Sequence, residues 1–464
     1  PGGAAAGLAG ADGGFALLPV PSSRYYDGRG ANKAWLHETP DPITQLVYES
    51  WVEVPVAAAR RLGIESGDVV RVTSPHGRVE VPAYVSQTLH PGAVAIPIGL
   101  GHTAYGRFAR DVGQSPLGLL PGEPDGASGG PRWLSVRVTL EKTGRREELA
   151  TPAGVTEVDH RREIVETIPL AEAAGQAAAG GAEAHHEKHP SMYPDLKYPQ
   201  HRWGMTIDLD ACIGCQACVV ACQAENNVPI VGLAEVPVPP AGPNRIAAVG
   251  RWQISYGRGL HWLRVERWWD RGPGAPAADG HAAGADGAPA RALFMPMLCQ
   301  HCEVAPCEPV CPVFAAYHTE EGLNAQIYNR CVGTRYCGNN CPYMVRRFNW
   351  YRYDWPAPMT LQLNPDVTVR DRGVMEKCTM CVQRIIAGKD RARTEGRPPR
   401  DGEIMTACQQ TCPTQAIVFG DLKDAGSRVS TLARSGRSYE VLGELGTRPA
   451  LTYLKDVVRG GGSA

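Results

Sequence analysis

The sequence predicts two kinds of fold in one polypeptide, a small all-β barrel followed by a mixed α+β unit tied together by cysteine. Three observations carry that prediction. Apolar residues alternate in short runs between Trp51 and Leu140; all fifteen cysteines are confined to residues 212–412; and a stretch rich in Ala, Gly, Glu and His separates the two regions. At 464 residues the protein has room for two or three domains with cores of their own. A net charge of -1 excludes a mainly electrostatic partner such as nucleic acid. No run approaches the roughly eighteen uninterrupted apolar residues of a membrane span, so any membrane link is expected to come through a partner. The first residue is Pro1 and no cleavable leader follows, which reads as a processed product or the C-terminal part of a longer one.

Residues 1–34 are dominated by Gly and Ala without periodicity and are expected to be an irregular segment, with structure beginning near Trp35. From Trp51 the pattern is an apolar start, a helix-like run from Ala57 to Leu62, and a turn over Gly63-Ile64-Glu65-Ser66-Gly67-Asp68. Val69, Val70 and Val72 then alternate as a strand, Pro75-His76-Gly77 turns, and Val79, Val81 and Tyr84 return. Ala93–Pro97 and Leu134–Leu140 add further strands, and residues 35–140 together predict the barrel. Residues 141–200, centred on Ala173-Ala-Gly-Gln-Ala-Ala-Ala-Gly-Gly181, read as a linker; His185, His186 and His189 within it read as a solvated tract or a metal tract.

The mixed unit is expected over residues 201–425. It starts with a short strand, Met205-Thr-Ile-Asp-Leu-Asp210, that leads into Cys212-Ile-Gly-Cys215-Gln-Ala-Cys218-Val-Val-Ala-Cys222. After a strand-like stretch His261–Trp268 and a Gly/Ala/Pro-rich insertion at 271–290 come Cys299, Cys302, Cys307 and Cys311-Pro, then Cys331, Cys337 and Cys341-Pro. A fourth run is spread out, with Cys378 and Cys381 followed by Cys408 and Cys412-Pro. Three closely spaced thiolates with a fourth before proline form the iron–sulfur run of two-cluster ferredoxins, in which the last cysteine serves the neighbouring cluster. An odd cysteine total and repeated short spacings do not suit a disulfide framework, and iron–sulfur clusters are favoured over structural zinc as well. Gly214 lets the backbone turn tightly beside sulfur. Beyond Val418, and over 426–464, a tail is expected.

Trp51-Val-Glu-Val-Pro, Leu62-Gly-Ile-Glu-Ser-Gly-Asp68-Val-Val-Arg-Val, Gly77-Arg-Val-Glu-Val-Pro and Gly99-Leu-Gly-His102 resemble the C-terminal dinucleotide-binding barrel of molybdopterin oxidoreductases. That resemblance makes Gly99, Gly101 and His102 contact candidates; the bland reading is that they are turn residues of a barrel that binds nothing. Residues 201–420 resemble the iron–sulfur subunits that partner molybdopterin enzymes. There the first run pairs with the fourth and the second with the third, so the resemblance implies a first set of Cys212, Cys215, Cys218 and Cys412. It likewise implies a second set of Cys222, Cys378, Cys381 and Cys408, and a third of Cys299, Cys302, Cys307 and Cys341, each on a 4Fe-4S cluster. Cys311, Cys331 and Cys337 remain as a fourth set, with Thr334 where a fourth ligand should stand. A threonine hydroxyl is a hard, poorly acidic ligand for iron beside soft thiolates, so a 3Fe-4S cluster is expected there; a labile fourth iron is the alternative. Three four-thiolate sites and one three-thiolate site use all fifteen cysteines.

The barrel fused ahead of the cysteine unit, with Tyr328-Asn-Arg-Cys331-Val-Gly-Thr-Arg-Tyr-Cys337-Gly-Asn-Asn-Cys341-Pro-Tyr-Met-Val-Arg-Arg-Phe-Asn-Trp350, resembles the C-terminal part of the iron–sulfur, molybdopterin-like subunit of bacterial alternative complex III. The resemblance implies an upstream molybdopterin-like part of the same protein without molybdenum and a polytopic quinol-binding membrane subunit. It also implies multihaem and monohaem cytochrome c subunits as acceptors, and a peripheral place on the periplasmic face of the inner membrane. The three-iron cluster would be the first acceptor, and the sequence would correspond to the C-terminal part of a longer subunit. No nucleophile or acid–base pair stands beside the clusters. The alternatives are an iron–sulfur subunit of a polysulfide- or dimethyl-sulfoxide-reductase-type enzyme and clusters that serve only as structural staples. Arg346-Arg347-Phe348-Asn349-Trp350-Tyr351-Arg352-Tyr353 reads either as a docking segment for a membrane partner or as a wrapping around an anionic cluster.

Overall fold

The computed structural model describes residues 14–130, 132–134, 136–152, 164–178, 195–232, 259–270, 291–355 and 357–459. The protein forms two compact units, one of residues 1–157 with 232–259 and 269–292, the other of residues 158–231 with 260–268 and 293–464. Among the described residues no helix is long and apolar enough to cross a membrane.

The first unit is a closed six-stranded barrel. Its strands are β1 (Phe15–Pro21), β2 (Val52–Pro55), β3 (Asp68–Thr73), β4 (Arg78–Ser86), β5 (Ala93–Ile98) and β6 (Arg137–Arg146), in the order β1-β5-β2-β4-β3-β6. Closure comes from β1, which runs parallel to β5 with Ala16 opposite Ala93 and antiparallel to β6. Phe15 and Leu17, Val52 and Val54, Val70 and Val72, Val94 and Ile96 are spaced by two, so each strand sends one face into the common core. The helix Val56–Leu62 ends at Gly63, which adopts the left-handed φ of 62° and returns its N–H to the last turn. The irregular segment expected over 1–34 is corrected here. Phe15–Pro21 is a barrel strand whose partner, β5, lies some eighty residues later, and its two prolines and Gly/Ala flanks hide the alternation.

The strands that follow are β7 (Thr167–Pro169), β8 (Trp203–Asp208), β9 (Leu263–Asp270), β10 (Arg291–Leu298), β11 (Ala316–His318) and β12 (Asn324–Gln326). Then come β13 (Arg347–Phe348), β14 (Met375–Glu376), β15 (Ile417–Asp421), β16 (Ser438–Tyr439), β17 (Leu451–Leu454) and β18 (Asp456–Val458). A four-stranded sheet, β15-β8-β17-β16, anchors the second unit, with β8 antiparallel to β15 and parallel to β17. Helices Ala217–Glu225 and Ala407–Thr411, which carry Cys218, Cys222 and Cys408, pack on each other. The core mixes aliphatics, tryptophans and methionines with nine buried cysteines, Cys218 and Cys299 among them.

Two further expectations are corrected. The residues taken for a tail contain the helix Arg428–Ala433 and β16–β18, and Leu451 and Tyr453 are completely buried in the sheet. Within the expected linker, β6 continues to Arg146, β7 pairs in parallel with β18, and Leu170–Ala178 is helical. For β7, β17 and β18 the cause is shared: β18 pairs with β7 and β17 with β8 across more than two hundred residues, so no local pattern announces them. His185, His186 and His189, the insertion 271–290 and the first thirteen residues lie outside the described residues.

Candidate functional site

The four cysteine runs share one backbone device. Two residues after the leading cysteine of each run, φ is positive: 68° at Gly214, 46° at His301, 76° at Gly333 and 53° at Met380. This folds the backbone tightly and brings amides toward the sulfurs. A side chain at Gly214 would place its Cβ 2.5 Å from the Phe294 ring, and one at Gly333 would meet the Gly373 carbonyl at 2.4 Å, so neither position has room for one. A second device follows the cysteine–proline pairs. Phe314, Met344 and Gln415, each three residues beyond the cysteine, have φ of 52°, 51° and 55° and donate N–H to the carbonyls of Cys311, Cys341 and Cys412. Buried Arg264 pins one of these turns by donating to the carbonyls of Tyr343 and Met344, both at 3.0 Å.

The structure brings the cysteines together in four groups. Cys212, Cys215, Cys218 and Cys412 line one cavity with Pro413, Thr414 and Val265. Burial, with help from Cys215 and Cys412 and against the pull of the Gly214 N–H, pushes the Cys212 thiol up to about 11. Cys222 is pushed up by burial and then by Cys378, Cys381 and Cys408. Cys302 is raised by burial and then by Cys299, Cys307 and Cys341. Cys337 is raised by burial and, against the pull of Arg346, by Cys331 and Cys311. These are the four sets named above. They also form a row: Cys218 of the first set interacts with Cys408 of the second, Cys378 of the second with Cys299 of the third, and Arg346 with cysteines of the third and fourth.

Thr334 takes part in the same local pattern as Cys215. Gly333 and Arg335, with φ of 76° and 64°, repeat Gly214 and Gln216, with φ of 68° and 63°. Arg335 and Gln216 are also each the left-handed N-cap of the helix that follows, Tyr336–Asn339 and Ala217–Glu225. Thr334 therefore occupies, in the fourth set, the backbone station that Cys215 holds in the first.

The donor set suits clusters rather than bare thiols. A thiol buried beside other thiols resists ionisation because desolvation and like charge both oppose the thiolate, and iron supplies the compensating positive charge. Donors already converge on the sulfurs: Ala315 N on Cys311 at 3.2 Å, Met380 N on Cys378 at 3.3 Å, Met375 N on Cys331 at 3.4 Å and Ala407 N on Cys381 at 3.5 Å. Such N–H bonds stabilise cluster charge and tune potentials. At Cys311 burial pushes the thiol up, but the N–H groups of Val313, Ala315 and Ala316 outweigh it and the net shift is downward. Among the described residues no three His, Cys, Asp or Glu side chains are arranged to hold a single metal ion. On one zinc ion, thiolate sulfurs would stand roughly 3.8 Å apart, as 2.3 Å bonds in a tetrahedron require.

Sequence reasoning missed several supports. Asn226 Nδ2 reaches Cys222 Sγ at 3.6 Å and Cys381 Sγ at 3.9 Å. The C-terminal segment wraps the Cys299–Val304 loop: Glu303 and Val304 donate to the carbonyls of Arg448 and Thr447, and Ala450 donates to Gln300. Fully buried Glu376 accepts from Trp262, Arg370 and Asn349, tying three separate stretches to the strand that precedes Cys378. No sequence signal marked these, because each depends on a partner distant in the sequence. Of the arginine/aromatic segment, Arg346 and Arg347 are buried, as wrapping requires, while Trp350 is 37 % exposed and Arg335 lies over its ring.

In the barrel, Gly99 and Gly101 have φ of 116° and 89°, and a Cβ at either would collide with Tyr25 or Ser115. The barrel's own packing therefore requires both glycines. Nε2 of His102 is buried without a hydrogen-bond partner among the described residues.

The sequence pattern of the molydopterin dinucleotide binding domain matches residues 28–132, that of a 4Fe-4S dicluster domain residues 290–357, and that of a 4Fe-4S binding domain residues 203–224. The iron–sulfur cluster-binding subunit of menaquinone reductase from Nitratidesulfovibrio vulgaris is 42 % identical over 257 residues, which is 54 % of this protein and 88 % of that one. One subunit of the tetrathionate reductase of Salmonella typhimurium is 30 % identical, over 55 % of this protein and 73 % of its own length. One subunit of the polysulfide reductase of Wolinella succinogenes is 29 % identical, over 56 % and 97 %.

Proposed function

Because the protein is a member of the iron–sulfur subunits of molybdopterin oxidoreductases, we propose that it relays single electrons between a quinone-handling membrane partner and a second redox partner. The observation that carries this reading is the row of four thiol sets, in which every cysteine has a place and neighbouring sets interact. The first three sets each hold a 4Fe-4S cluster. The fourth, Cys311, Cys331 and Cys337 with Thr334 at the corner, holds a 3Fe-4S cluster. A three-iron centre belongs at the oxidising end of a mixed row, within a range of roughly -700 to +450 mV open to such clusters, which suits exchange with a quinone. The protein sits peripherally on the periplasmic face, held by its membrane partner.

The names of the relatives, a menaquinone reductase and a polysulfide reductase among them, favour the molybdopterin-oxidoreductase reading over alternative complex III. One observation still supports the latter, the barrel and the cluster unit in a single polypeptide. In that version electrons from quinol pass to cytochrome c subunits and the upstream molybdopterin-like part holds no metal. Metal analysis of the purified assembly with paramagnetic resonance decides between them. The proposal expects about fifteen non-haem irons and one three-iron signal. Molybdenum identifies the first version; its absence together with haem c identifies the second. Iron in the range expected of one or two clusters overturns both.

A further inference from the structure

Arg346 follows the third cysteine run by five residues, and its guanidinium is buried. Its Nη1 donates to Gln326 Oε1 at 2.7 Å and its Nη2 to Asn324 Oδ1 at 2.6 Å. Both acceptors sit on β12, and both are neutral amides, so neither direct partner cancels the charge; the nearest carboxylate, Glu308, lies beyond Asn324 and faces His318 Nδ1 at 2.6 Å. Asn324 in turn directs its Nδ2 to Glu308 Oε1 and, at 3.8 Å, to Cys307 Sγ, while the Arg346 charge lowers the Cys337 thiol against its burial. The guanidinium therefore lies between a cysteine of the third set and one of the fourth. Burial opposes its charge, but Cys307, Cys299, Cys337 and Cys341 hold the proton on more firmly than in water.

A buried cation without a carboxylate partner is costly, since desolvation is not repaid by a neighbouring anion of the protein. Anionic clusters on both sides would repay it. We infer that Arg346 is a fixed positioning charge that raises the reduction potentials of the third and fourth clusters together and makes this pair the electron-accepting end of the row. A unit charge several ångströms from a cluster interacts with each added electron strongly enough, even at an effective dielectric of about 20, to change its reduction equilibrium by about tenfold or more. Shared between two clusters, the same charge also lowers the repulsion between an electron on one and an electron on its neighbour. The choice of Asn324 and Gln326 as holders follows from this: an acid at either position would fix the guanidinium equally well and erase its field.

The inference rests on the reading that these two sets hold clusters, so iron content and resonance signals of the unaltered assembly are recorded first and test that reading separately. Redox titration of the purified assembly, followed by paramagnetic resonance, then compares Arg346→Gln, Arg346→Lys and Gln326→Glu. Arg346→Gln is expected to weaken reduction of the third and fourth clusters at least about tenfold each, which is 59 mV for one electron, and to leave the first and second unmoved. Arg346→Lys restores most of the loss. Gln326→Glu leaves the arginine and the hydrogen bond in place and still lowers both potentials, an effect that a purely structural role would not produce. It also keeps the test open should Arg346→Gln lose iron. Unchanged potentials in Gln326→Glu, or a shift spread equally over all four clusters, overturns the inference.

Discussion

The barrel and the cluster unit solve the same problem, enclosing a core, with different materials. The barrel core is almost entirely valine, isoleucine, leucine, alanine and phenylalanine spaced by two along six strands. The cluster unit places nine cysteines in its core beside tryptophan and methionine, and its regular structure is one small sheet with short helices and two-stranded ribbons. Apolar burial can hold the first unit by itself. The second buries thiols that repel one another once ionised, and buried charges such as Arg346 and Lys377, so its order depends on what the thiols bind.

Removing iron should widen that difference more than any substitution. Chelation under reducing conditions is expected to abolish protection in residues 203–225 and 299–412 while the barrel keeps its strands; hydrogen exchange resolved by segment checks this. Equal loss in both units would break the comparison. Next in size, Ile96→Ala, which removes a fully buried barrel residue's packing, should destabilise the barrel by about 2–5 kcal/mol. Iron content should stay at its full value.

A titration sharpens the comparison from the other side. Burial, and then the Asp41 charge, push Glu53 on β2 up to about 7. Its folded pKa is raised, so the folded state binds more protons than the unfolded state between roughly pH 4.5 and 7. Barrel stability should therefore fall as pH rises through that window and level off above it, by on the order of 2–3 kcal/mol in total. Glu53→Gln should flatten the dependence in thermal melts of the barrel transition, whereas a retained slope would assign it to another group. At the small end, Arg71→Gln breaks solvent-screened pairs with Glu80 and Glu141 and should move the midpoint of the barrel's thermal melt least of these changes.

The two regions were also legible in different ways. In the barrel, short apolar runs bounded by turn residues announced β3, β4, β5 and the first four residues of β6. That signal failed at β1, where Pro19 and Pro21 interrupt the pattern and the pairing strand is remote. In the cluster unit, cysteine spacing marked the candidate ligands. It could not reveal that Leu451–Leu454 lies in the sheet beside β8, or that Thr447 and Arg448 brace the loop after Cys302, since those contacts span more than a hundred residues. Thr334 was legible only as a missing cysteine; its match to the backbone of Cys215 needed the coordinates. Arg346 was visible as a basic residue, but its amide holders on β12 were not.

The central claim is that the fourth set is a complete cluster site lacking one thiolate, and Thr334→Cys tests it most directly. The backbone there already has the conformation found around Cys215. The variant is expected to gain one iron and lose the three-iron resonance, with a four-iron signal in its place. An unchanged iron content with the original resonance, or a four-iron cluster already present before the substitution, would contradict that claim.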